Sequence, residues 1–163
     1  MNFSFHPAYY ATKILMEKRK NSFFSMGRCD TILPMDQIFL ETISGITTRD
    51  QRYKPEAYEF IVEALSFTQK KFRRERHVSG EELVAGVIEF AVRKFGALAF
   101  TVFSRWGILA TEDVGAIVFN LVNNGILTKQ EEDTFESFRG GSFEESLRQC
   151  YLRQLEQSIK KIR

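Results

Sequence analysis

Few side chains in this sequence have the types and spacing that chemistry requires. Two histidines, His6 and His77, and two cysteines, Cys29 and Cys150, occur in 163 residues, and neither cysteine has a second cysteine or a histidine nearby in sequence. Zinc sites take three or four N, S or O ligands at suitable spacing, so no metal site is expected. A nucleophilic triad would have to recruit His77 as its base, with Glu81 or Glu82 beside it. His77 stands just before Ser79, where an imidazole more simply organises the start of a helix. Glu131, Glu132, Asp133 and Glu136 gather four carboxylates in six residues, a grouping that can hold a divalent cation or do acid–base work. They lack the alternating ligands and central glycine of a calcium loop, and acids in a first helical turn complement its dipole. Gly140-Gly141 precedes a helix without the Lys and Ser/Thr of a phosphate-binding loop, so it reads as a turn. No catalytic residue and no cofactor is implied.

Binding surfaces are better represented than catalytic groups. Lys70, Lys71, Arg73, Arg74 and Arg76 form a basic run with Phe72 interleaved. Such a run can contact phosphates by releasing counterions, but cations also collect at helix C-termini because the dipole favours them there. Elements between Leu98 and Phe138 are arranged as a helix-turn-helix would be, with Glu112 to Asn123 as its reading helix. That helix has no Lys or Arg and begins with two acids, so it would meet DNA phosphates badly. Its face away from the apolar stripe offers Ala116, Phe119, Asn120 and Asn123, which suits protein contact or packing. A second apolar surface lies on the last helix, where Phe143, Leu147, Cys150, Tyr151, Leu155, Ile159 and Ile162 form one stripe flanked by Arg148, Arg153, Lys160 and Lys161. That stripe either covers the core or fills the groove of a partner.

The elements that must position these residues are helical. Ile38, Phe39 and Ile43 make a short stripe expected to end at Gly45. Pro55 sits where a helix accepts proline, at its first position. Behind it Ala57, Tyr58, Phe60, Ile61, Ala64, Leu65, Phe67 and Phe72 make a face wide enough for burial against more than one neighbour. Ser79 and Glu82 form a capping box, and the helix they open carries Leu83, Val84, Val87, Ile88, Ala91 and Phe95 until Gly96. Leu98 to Trp106 follows, with Gly107 as its stop. Thr111 is expected to cap the next helix, whose stripe is Val114, Ile117, Val118, Leu121 and Val122, with Asn124-Gly125 as a left-handed ending. Thr128 with Glu131, and Ser142 with Glu145, repeat the capping pattern. Gly107-Ile108-Leu109 and Gly125-Ile126-Leu127 echo each other as one helix-ending device used twice. No strand pattern competes; at most residues 46–49 or 108–109 are extended.

Size and composition agree with this reading. Sixteen Phe, 44% apolar and 27% charged residues suit a globular chain with an aromatic core. No run approaches the roughly 20 apolar residues of a membrane span, and Met1 to Phe24 lacks the h-region of a secretory signal. Two distant cysteines fit a reducing cytoplasm better than a disulfide framework. Residues 1–34 hold five Lys or Arg against Glu17 and Asp30, a net +3, and the remainder holds eighteen against nineteen, a net −1. The body therefore lacks the basic excess usual in nucleic-acid binders. Residues 1–34, with a short helix expected from Pro7 to about Lys20, read as a basic, partner-docking tail, as a flexible extension, or as the product of an early start codon with Met35 as the natural beginning.

Several strings resemble an uncharacterised family of short bacterial conserved hypothetical proteins, the Minf-type family. They are Asp50-x-Arg52-Tyr53 with Ala57-Tyr58-x-Phe60; His77-Val78-Ser79-Gly80-x-Glu82-Leu83; Phe95-Gly96; and Trp106-Gly107-Ile108 followed by Thr111-x-Asp113-x-Gly115-x-Ile117-Val118-Phe119-Asn120-Leu121-Val122. The likeness spans about residues 35–145, and the last string is its most specific part. It departs over residues 1–34 and in the last helix, since family members start near Met35. The resemblance implies no activity and transfers no functional residue.

The sequence thus leads to an all-α fold, a compact single-domain bundle of six or seven helices over 35–163, preceded by the 1–34 extension. The expected role is a non-catalytic interaction domain, adaptor or regulatory, that meets another protein or a second copy through Ala116, Phe119, Asn120 and Asn123 or through Tyr151, Leu155 and Ile159. The alternative is a nucleic-acid-associated protein using Lys70–Arg76, and the third an enzyme centred on His77. A cytoplasmic location without membrane contact is expected throughout.

Overall fold

Pro55 sets the first turn of the most deeply buried helix, and the rest of the chain arranges itself around that helix. The structure is a computed structural model, and it describes residues 4–5, 34–72, 78–128 and 135–162. Its helices are α1 (Pro34–Arg49), α2 (Pro55–Lys71), α3 (Gly80–Phe95), α4 (Ala99–Trp106), α5 (Thr111–Asn123) and α6 (Phe143–Ile162), with 3-10 turns at Gly96–Leu98 and Phe135–Phe138. The fold is all-α. Because α3 passes into α4 through the Gly96–Leu98 turn with no intervening loop, the two make one bent unit. The described residues thus form five helical units, fewer than the six or seven expected. The helix expected over Pro7 to Lys20 lies outside the described residues. Thr128, expected to open another, is a strand residue.

α2 is buried around most of its circumference, at Ala57, Tyr58, Phe60, Ile61, Val62, Ala64, Leu65, Ser66, Thr68 and Gln69. The wide apolar face thus does meet several neighbours: α3 most extensively, and also α1, α4 and α5. Its buried hydroxyls are satisfied inside the helix, Ser66 donating to the Val62 carbonyl and Thr68 to that of Ala64, so burial leaves no polar cost unmet. An aromatic layer fills the junction with α3 and α4. Phe60 is surrounded by Phe90, Phe95, Phe103 and Trp106 at centroid distances of 5.1–5.7 Å, and Phe103 stacks on Phe143 of α6 at 5.3 Å.

Local helix grammar holds at most ends. Ser79 Oγ accepts from Glu82 N (3.1 Å) while the Glu82 carboxylate accepts from Ser79 N (2.9 Å), the reciprocal box expected. α4 and α5 end by the same device: Ile108 N donates to Phe103 O and Gly107 N to Ser104 O, just as Ile126 N donates to Leu121 O and Gly125 N to Val122 O. Both glycines have positive φ, 87° and 74°, the left-handed position of a Schellman ending.

Three expectations are corrected. α1 does not stop at Gly45 but runs to Arg49, so residues 46–49 are helical. A mid-helix glycine costs only about 1 kcal/mol, and continuing the helix buries Ile46 beside Ile43. Thr111 is not the cap of α5. That position is Ala110, and the Asp113 carboxylate accepts from Leu109 N and Ala110 N, both at 2.8 Å. Finally, a two-residue ribbon is present: Ser4–Phe5 pairs antiparallel with Leu127–Thr128, too short a stretch to show as periodicity. Residues 108–109 are in no strand.

The α2–α3 contact depends on Gly86. A β-carbon at that position would lie 1.8 Å from Thr68 Oγ1 and 2.9 Å from Thr68 Cβ, and a β-branched side chain in a helix has little rotamer freedom with which to yield. Gly86→Ala is expected to destabilise the fold by about 1–3 kcal/mol despite its better helix propensity. Adding Thr68→Ala should recover most of that loss in a double-mutant cycle followed by urea denaturation. Additive losses would show that the close approach is not the cause.

Candidate functional site

The densest set of polar side chains lies where the loop after α1 meets α5. Asp50 follows α1 directly, its N–H donating to Ile46 O at 2.8 Å. Its carboxylate then gathers four donors: Arg52 Nε (2.8 Å), Arg52 Nη2 (2.7 Å), the Arg52 backbone N–H (3.2 Å) and Asn120 Nδ2 (3.0 Å). Asn120 Nδ2 also donates to Tyr58 Oη at 3.1 Å. Next to it Tyr53 donates its hydroxyl to Asp113 Oδ1 at 2.7 Å, while the other Asp113 oxygen holds the start of α5. The two tyrosine rings meet edge to face at 6.4 Å, and the Arg52 guanidinium lies 5.1 Å from the Tyr53 centroid. Gly107 closes the corner. A β-carbon there would sit 2.0 Å from Arg52 O, and Lys54 N donates to Trp106 O at 3.1 Å.

The electrostatics of this corner are those of a clamp. The Arg52 guanidinium, with help from Asn120, holds the Asp50 carboxyl far below the usual carboxylate range, against the opposing effect of burial. Tyr53 is pushed above an ordinary phenol by burial and by its bond to Asp113, and Tyr58 is raised by burial. Both phenols therefore stay protonated, Tyr53 donating to Asp113 and Tyr58 accepting from Asn120, and neither is poised as a base. Asp50, Arg52, Tyr53, Tyr58 and Asp113 escape a reading of candidate sites from sequence, and Asn120 enters it only as a contact-face residue. The signal present was their appearance in two strings of the family resemblance, and the fold brings those strings together here.

The α5 face expected to meet a partner is mostly used internally. Ala116 and Phe119 are half-buried against the core, with Phe119 edge to face with Phe138 at 6.4 Å. Asn120 belongs to the clamp, and Asn123 is exposed at the end of the helix.

The basic end of α2 is only partly described, since Arg73, Arg74, Arg76 and His77 lie outside the described residues. Lys70 and Lys71 are exposed, and Lys71 is paired with Glu89 of α3. Farther along the same interface Lys94 pairs with Glu63 at 2.6 Å and lies 5.6–5.9 Å from the ring centres of Phe60, Phe90 and Phe95. Each of these two lysines is thus matched by an acid of the neighbouring helix. Of the acids proposed beside His77, Glu82 is committed to the Ser79 box and Glu81 is exposed. Glu136, the described member of the carboxylate group, pairs with Arg139 at 2.9 Å. Among the described residues no three His, Cys, Asp or Glu cluster as metal ligands. No helix there is long and apolar enough to cross a membrane.

The last helix differs from all of these. Ser142 Oγ accepts from Glu145 N at 3.4 Å, and Glu145 in turn accepts from Gln149 Nε2 at 2.9 Å. Phe143 and Leu147 are buried, and Cys150 and Tyr151 half-buried, against α3, α4 and the Gly96–Leu98 turn. Burial raises the Cys150 thiol above its ordinary pKa, which disfavours the reactive thiolate. Farther along, the single apolar stripe divides. Leu152, Leu155 and Ile159 are 47%, 40% and 63% exposed, and every residue from Leu155 to Lys161 is exposed. In steps of about 100° per residue, Leu152 and Ile159 fall on the side opposite Phe143, Cys150 and Gln154, with Leu155 between.

The clamp makes a pH-dependent prediction. A carboxyl whose pKa is lowered by folding contributes stability above its unfolded pKa of about 3.9 and loses it as pH falls towards the folded value. Asp50→Asn should therefore cost about 1 kcal/mol at neutral pH, a modest figure because Arg52 is largely in solvent. The gap in Tm to the unaltered chain should close as pH drops below about 4. A gap that persists at lower pH would remove the carboxylate from this role. Compared with known proteins, the chain matches no family model, no curated protein and no solved structure.

Proposed function

We propose that this chain is a non-catalytic interaction domain, adaptor or regulatory, that docks another protein surface through the distal half of α6. The observation that carries this reading is the exposed Leu152–Leu155–Ile159 stripe, on a helix that outruns the body supporting its first turns. Three aliphatic side chains left in water forgo roughly 1.5–3 kcal/mol each relative to full burial, and their i, i+3, i+7 spacing is that of a helix seam. Other exposed apolar residues, such as Leu98 and Leu109, are not part of such a run. The side chains with chemical scope in the clamp support the same reading, because their hydrogen bonds are spent on joining α1, α2 and α5. The nucleic-acid reading is weakened by the Lys71–Glu89 and Lys94–Glu63 pairs. Membership of the Minf-type family and a cytoplasmic location belong to the same proposal. The first rests on strings that meet in the clamp, the second on the lack of a disulfide framework expected from two distant cysteines.

Leu155→Glu tests the stripe with little effect on the fold, since exposed substitutions usually shift stability by no more than about 0.5 kcal/mol. The tagged full chain, incubated with nuclease-treated native lysate containing a differently tagged copy of itself, should retain a discrete protein, itself or another. Leu155→Glu should abolish that retention while leaving Tm within about 2 °C. Retention that ignores Leu155→Glu, or that vanishes with nuclease, would overturn the reading.

A further inference from the structure

We infer that the occupant of the α6 stripe is a second copy of this chain, paired antiparallel along α6 about a twofold axis between Leu152 and Leu155. The inference rests on the interaction-domain reading above and specifies its partner. The face in question runs the length of the helix. Glu145, Arg148, Leu152, Leu155 and Ile159 recur at i, i+3, i+7, i+10 and i+14, and all are exposed. This is an a/d seam with apolar residues in its distal part and charged ones in its proximal part.

Charge selects both partner and direction. α6 begins with Glu144 and Glu145 and ends with Lys160 and Lys161. A parallel pair would set acids beside acids and lysines beside lysines, whereas an antiparallel pair matches each acidic start to a basic end and opposes the helix dipoles. With the axis between Leu152 and Leu155, Leu152 of one copy faces Leu155 of the other. Ile159 lies over the aliphatic stem of Arg148, and Lys160 comes beside Glu145. Each contact occurs twice, as in any isologous twofold interface, so the association closes at a dimer and does not propagate. The apolar patch is small, which makes the dimer weak and concentration-dependent.

The test is sedimentation equilibrium of the purified full chain from micromolar to about millimolar concentration. The expected result is a mass that rises from 19.0 kDa towards twice that value, and that Leu155→Glu returns to the monomer. Lys160→Glu should weaken the dimer about tenfold, since it replaces two attractions by two repulsions. Adding Glu145→Lys should restore it, with circular dichroism confirming that both variants remain helical. A dimer that the charge swap does not rescue would overturn the antiparallel register. A chain that stays monomeric while Leu155 is still needed to capture a different protein would overturn self-pairing and leave the interaction domain standing. A monomer with no Leu155-dependent capture would remove both.

Discussion

The constraint on which the structure depends is the burial of α2 on nearly every side. A helix with Phe60 and Ala64 on one arc, Ile61 and Leu65 on the next, and Val62, Ser66 and Gln69 on a third cannot be served by a single neighbour. α1, α3, α4 and α5 must therefore all reach it. Dense packing of this kind tolerates little variation in volume. That is why the α2–α3 contact narrows to a glycine against a threonine, and why α3 bends into α4 through a three-residue turn instead of a long loop. The bend keeps Phe95, Phe103 and Trp106 within reach of Phe60.

The clamp solves a problem that this arrangement creates. α5 has to reach α2 from the far side of the chain, and its start has no side-chain cap because Ala110 offers no acceptor. Asp113 supplies the missing bonds to the loop before α5 with one oxygen and receives Tyr53 with the other. Asn120, two turns later, ties the same helix to Asp50 and Tyr58. The two ends of the tie are the segments flanking Pro55, so the residues that start α2 also fix the helix lying across it. Charge-assisted bonds suit this task because they are directional as well as strong, whereas the aromatic layer on the other side of α2 fixes volume more than angle.

What was legible in the sequence follows the range of the interaction. Capping at Ser79, the proline at the start of α2 and the paired glycine endings of α4 and α5 involve residues within a few positions of each other, and all stand as read. At Gly45 and Thr111 a local signal is outvoted: burying Ile46 outweighs one glycine, and the Asp113 carboxylate, holding Leu109 N and Ala110 N, accompanies a start of α5 one residue earlier, at Ala110. The clamp joins residues 60 to 70 positions apart, and no spacing rule relates them. Asn120 looks like a surface residue in the sequence for that reason, yet it is an internal fastener, while Asn123 on the same face is exposed.

The division of the α6 stripe has another cause. Helical periodicity reports which side of a helix is apolar, but it carries no information about where the supporting body ends. Phe143 and Leu147 face a core made by α3 and α4, and past Tyr151 that core gives out while the helix continues to Ile162. Had the distal apolar residues merely continued the core-facing side, their exposure would be a by-product of helix length. Instead Leu152 and Ile159 lie on the side turned away from Phe143 and Cys150, which no element among the described residues covers. The interface proposed above gives such a seam a role, and the acidic start and basic end of the same helix match the second copy proposed to cover it.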